Sequence, residues 1–133
     1  MSGYTLTVTV IEPYADTVER VRAALADQGF GILTEIDLQA TLLAKLGVEV
    51  GPQVILGACR PPLAYEALQV DPSIAALLPC NVVVRSVDER TSVVEAFDPA
   101  AMMGLADNGA LDAVAADARQ RLTAALAALA DEE

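Results

Sequence analysis

Histidine and tryptophan are absent from this chain, bases number 8 against 19 acids, and aromatic residues make up only 4%. Without histidine the commonest general base is missing, and with it go the Ser-His and Cys-His nucleophile pairs and most zinc ligand sets. A formal net charge of −11 repels phosphate backbones and leaves no basic stripe for counterion release, so nucleic acid is not an expected partner. No apolar run approaches the roughly 18 residues of a membrane span, which argues against a membrane partner. The first residues, MSGYTLTVTVIEPY, carry no basic segment and alternate in polarity, unlike a signal or transit peptide; a cytoplasmic location is expected. Only two cysteines occur, and a reducing compartment keeps such residues as thiols.

What is present is aliphatic. Hydrophobic residues make up 54% of 133 residues, so one domain spanning residues 1–133 can build a core from Val, Leu, Ile and Ala. Tyr4, Leu6, Val8 and Val10 alternate with Thr5, Thr7 and Thr9, the period of a strand with one buried face. From Pro13 the period lengthens, and Tyr14, Val18, Val21 and Leu25 predict a helix over about residues 13–28, ended by Gly29 in the left-handed region. Residues 30–37 return to a strand, and Asp37 can cap a helix running to Leu46 and closed by Gly47.

Residues 53–59 are apolar on both faces, which predicts a central strand covered on two sides. Two prolines after Arg60 then force the chain out of the sheet, because neither can donate to a ladder, and Pro62 is placed to start a short helix. Residues 80–87 and 91–98 predict two antiparallel strands joined by SVDER, and Leu111, Val114, Ala118, Leu122, Ala125 and Leu129 mark one face of a long last helix. Repeats, low-complexity tracts and linkers are absent.

Three blocks read together, GFGILTEIDLQATLLAKLGVE, VILGACRPPLAYEALQ and LLPCNVVVR, resemble the family known as domain of unknown function 302, a group of small uncharacterised bacterial and archaeal proteins. The resemblance covers about residues 4–130. It implies an α+β fold in two layers similar to that of the TATA-binding protein: a curved antiparallel sheet of about five strands (β-α-β4-α, with short inserted helices) covered by a long C-terminal helix. It further implies homodimers and no assigned activity, and the shared fold itself implies nothing about DNA.

Chemistry is left to two cysteines, some carboxylates and Arg60. Cys59 ends one strand and Cys80 starts another, so antiparallel neighbours would bring both thiols to one sheet edge, where they could hold a soft metal such as copper(I) or form a reversible disulfide with Arg60 lowering a thiol pKa. The alternative is that each packs as a small hydrophobe, since a 21-residue spacing is no metal motif. Matching the family blocks adds interest to Cys59, Arg60, Cys80 and Asn81. Arg60 could grip a carboxylate or phosphate, or pair with Glu66 or Asp98; Tyr65 could border the same pocket or fill the helix-sheet seam. Glu35 and Asp37 share a strand face and could act as an acid-base pair, or bind a hard cation with Glu95; equally, Asp37 caps the next helix and Glu35 is solvated. Asp98 before Pro99 predicts a turn and helix start. The segment MMGLADNG, residues 102–109, mixes methionines expected to be exposed with turn residues, as a mobile lid or a plain connector would.

The leading expectation is a cytoplasmic, self-associating, non-catalytic domain that holds a small ligand between sheet and helices, with cofactor unknown. The alternative is a thiol-based redox or soft-metal protein using Cys59 and Cys80.

Overall fold

A computed structural model describes residues 3–106 and 108–130, with the side chain of Met103 outside the description. Five strands form one antiparallel sheet in the order β1-β5-β4-β3-β2: β1 Thr5–Val10, β2 Gly31–Asp37, β3 Gln53–Cys59, β4 Cys80–Asp88 and β5 Thr91–Phe97. Helices α1 (Tyr14–Asp27), α2 (Leu38–Leu46), α3 (Pro61–Val70), α4 (Pro99–Gly104) and α5 (Asp112–Ala130) connect or cover the strands.

Local chemistry sets the boundaries. Gly29, at φ 85°, and Gly47, at φ 68°, end α1 and α2 in the left-handed region that a Cβ disfavours. Asp37 caps α2 by accepting from the Ala40 N–H at 2.9 Å. Asp98 does the same for Ala100 where α4 begins. The helix after β3 starts at Pro61, one residue earlier than its sequence pattern predicts, with both prolines in the first turn and Arg60 as N-cap.

The sheet has one fully covered face. Val54, Leu56, Val82, Val84, Val94 and Ala96 point into it and pack beneath α1 and α5, where Leu25, Leu122 and Leu129 meet them. A second cluster joins Leu63 and Ala67 of α3 to Met102, Leu111, Val114 and Cys80 at the end of the sheet. Met102 is fully buried, against the expectation of exposed methionines in residues 102–109. In the same segment the Met103 side chain and Asp107 lie outside the described residues. The expectation that β3 is covered on both sides also needs correction. Ile55, Val83 and Val93 on the reverse face are half-buried: Ile55 lies opposite Val83, Val93 lies opposite Arg85, and no core cluster of described residues covers them.

The reverse face carries its own polar row. Glu95 takes an ion pair from Arg85 at 2.6 Å and hydrogen bonds from the Thr5 and Thr7 hydroxyls, and these hold its carboxyl below the usual glutamate range, the Arg85 bond foremost. A bulge between Ile32 and Thr34 shifts the β2 register, so Thr34 and Ile36 join the reverse face while Glu35 and Asp37 turn to the helix side.

Gly57 marks the tightest approach. A Cβ there would strike the Thr34 hydroxyl and come within 2.7 Å of Pro79 Cγ. Gly57→Ala is expected to cost about 1–3 kcal/mol through overpacking, read as a lower urea midpoint with unchanged slope.

Candidate functional site

β3 and β4 are neighbours, so the end of one strand meets the start of the other. Ala58 pairs with Cys80 across them, and Cys59 pairs with Gly31 on the other side. Both cysteines therefore reach one corner, where α3 and the first half of α5 close over the sheet and leave a cavity of about 30 Å³. Its walls are mostly apolar, among them Phe30, Leu63, Leu78 and Val114, and Arg60 is the one charged residue lining it among the described residues.

Arg60 reaches this position through the chain's forced exit from the sheet. Pro61 and Pro62 have no N–H, and the next two donors, Leu63 N and Ala64 N, both bond the Arg60 carbonyl at 3.0 Å. The α3 N-terminus thus has no spare donor in its first turn, and the Arg60 side chain supplies the polarity of the corner. That side chain lies against Gly29, where a Cβ would sit 2.9 Å from Nε. Its Nε is buried and has no hydrogen-bond partner among the described residues. The expected pairing with Glu66 or Asp98 does not form among the described residues: Asp98 binds Arg119 at 3.2 Å. Five of the eight bases are in ion pairs, and of the remaining three Lys45 and Arg90 are exposed while Arg60 is half-buried.

Burial acts on the thiols. It pushes Cys59 up, and pushes Cys80 up to about 11 with help from nearby Cys59. Both are thiols near neutral pH, and Arg60 is not among the causes acting on either, contrary to the expected lowering. Asn81 is not brought into the corner: it pairs with Gly57 and is exposed on the reverse face. Tyr65 is 67% exposed, in neither the pocket nor the seam, because it lies on the outer side of α3 opposite Leu63 and Ala67.

Glu35 and Asp37 lie elsewhere, with Tyr14 in a groove of about 270 Å³ between α1 and β2. Each has its own partner: Arg22 binds Glu35, and Asp37 caps α2. Burial raises Tyr14, with Asp37 adding to the effect. Glu95 is on the opposite sheet face and cannot complete a cation site with them. Among the described residues no group of three or more Cys, Asp or Glu is arranged to hold a metal ion, and no helix is long and apolar enough to cross a membrane.

The sequence gives little sign of Gly29 and Phe30 as parts of this corner. Gly29 reads as a helix stop and Phe30 as a strand residue; only their separation from Arg60 across the β2–β3 pairing, absent from any local pattern, places them together.

The sheet order, the covering helix and this corner define a two-layer α+β protein with one half-exposed sheet face. Residues 6–129 match the family described as Domain of unknown function DUF302, and the chain belongs to that family. A crystal structure of an uncharacterized conserved DUF302 protein from Bacillus stearothermophilus is similar at a TM-score of 0.88 and 30% identity, covering 96% of this chain and 99% of that one. A search of curated proteins finds no match.

Burial that pushes Cys80 up to about 11 leaves it far less thiolate than an ordinary cysteine at about pH 8. Iodoacetamide followed by mass spectrometry should therefore modify Cys59 first and Cys80 only after unfolding. The same shift makes Cys80 favour the folded state below pH 9, a contribution lost as pH rises from 9.0 towards about 11.

Proposed function

We propose that this protein is a non-catalytic, homodimeric domain whose Arg60 corner holds a small anionic ligand between sheet and helices. The observation that carries the ligand part is that Arg60, whose buried Nε has no hydrogen-bond partner among the described residues, lines a cavity. A buried donor without an acceptor costs about 1–3 kcal/mol, and an acceptor supplied from outside removes that cost. A packing role alone is better served by an apolar side chain of similar length.

The homodimer is supported by α2. Its leucines make it an apolar helix, yet it contributes no buried residue to its own chain. Five of the eleven large exposed hydrophobics among the described residues fall between Leu33 and Val48, with Leu46 69% exposed. Residues 38–48 contain no acid in a chain with 19, so a second, equally acidic copy meets least repulsion on this surface. Alanine-rich helices allow close approach between subunits, but Ala115, Ala118 and Ala125 are used within the chain's own core.

A second reading rests on the two thiols sharing the corner, where Cys80 senses Cys59 electrostatically. A reversible disulfide there predicts loss of two hydrogens on oxidation, absent in Cys59→Ser. The high Cys80 pKa weighs against it, because the thiol is a poor nucleophile and metal ligand while protonated.

Two outcomes test the first reading. A mixed panel of small organic acids and neutral compounds should shift amide resonances of residues 58–64 in the wild type but not in Arg60→Met, which should melt no lower than the wild type without ligand. Shifts elsewhere only, or a much less stable variant, would make Arg60 a structural residue. In light scattering, Leu46→Asp should convert the dimer to a monomer without loss of helical signal.

A further inference from the structure

We infer that the Arg60 corner selects a short-chain monocarboxylate, an assignment that rests on the ligand reading above. The cavity offers one cation and mostly apolar walls, and none of the described residues lining it is acidic although the chain carries 19 acids. A guanidinium presents a flat, forked set of donors that matches a carboxylate, and Nε is the donor still lacking an acceptor.

Charge limits the occupant. One guanidinium balances one negative charge, and a doubly charged phosphate would leave a second charge unmatched against apolar walls in a protein of net charge −11. Neither thiol supplies a compensating cation; each contributes a weak S–H donor at most. Size limits it too. A cavity of about 30 Å³ takes about two waters, so it has room for little more than the carboxylate itself, a one- or two-carbon tail lies in its opening, and a longer tail extends past the apolar walls into water. Phe30, Leu63, Leu78 and Val114 give that aliphatic part an environment it prefers to water, while a polar tail would lose its hydration there without replacement.

The probes are propanoate, hexanoate, 1-propanol and inorganic phosphate, added to the intact protein and followed by amide shifts at residues 58–64. Propanoate should bind at least about tenfold more tightly than propanol or phosphate, with hexanoate no tighter than propanoate. Arg60→Met should abolish the propanoate shifts, and Arg60→Lys, which keeps the charge and loses the fork, should weaken binding about tenfold while leaving the fold intact. Phosphate binding at these residues as tightly as propanoate would overturn the carboxylate assignment and leave the anion reading standing. Equal binding of propanol would remove the role of charge from both. No shift at residues 58–64 with any probe would overturn the assignment and the ligand reading together.

Discussion

The refusal of two consecutive prolines to donate hydrogen bonds is the constraint on which the candidate site depends. β3 must stop at Cys59, since Pro61 and Pro62 can neither extend a ladder nor receive the Arg60 carbonyl into one. The same prolines suit a helix's first turn, where missing N–H groups leave nothing unsatisfied. Strand therefore becomes helix within a single residue, and that residue is Arg60. Its carbonyl is committed to Leu63 and Ala64, its backbone is fixed by the turn, and its side chain lies against Gly29. A longer loop at this point would let the guanidinium swing out to one of the many surface carboxylates.

The protein's charges divide into two populations around that feature. Arg20, Arg22, Arg85, Arg119 and Arg121 each meet a carboxylate, and the pairs tie α1 to β2, β4 to β5 and α5 to the turn before α4. These pairs are partly exposed, so each contributes little to stability on its own and more to register. Arg60 differs in being half-buried with no ion pair among the described residues, and its Nε is the one buried side-chain polar atom among them without a hydrogen-bond partner, which separates it from the exposed Lys45 and Arg90 as well as from the paired arginines.

Most of the architecture was legible in the residues. Alternation in Tyr4–Val10, the stops at Gly29 and Gly47, the Asp37 cap and the apolar stripe of α5 are local signals, and local signals survive translation into structure. The adjacency of Cys59 and Cys80 was legible only as a condition on strand order. The failures have a common origin in packing from outside the segment. β3 is apolar on both faces yet buried on one, because half-exposed aliphatic residues on the reverse face shield each other across strands. Tyr65, read as bordering the pocket or filling the helix-sheet seam, does neither, because helix geometry turns it outward. Arg60's lack of a partner could not be read at all, since a sequence with 19 acids offers many candidates and only the fold says which are within reach.

Strand order also sets a sequence of events. β1 sits at the sheet edge and has one strand partner, β5, so the Thr5 and Glu95 side chains meet across 90 residues. The β2-β3-β4 portion, by contrast, joins strands that follow one another in the chain. As the protein leaves the ribosome, its first strand has no place to dock until its last strand has emerged, and α5, which closes over them both, comes later still. β1 is thus made long before the strand that secures it, and its pairing with β5 closes the longest loop in the sheet, the one with the largest closure entropy.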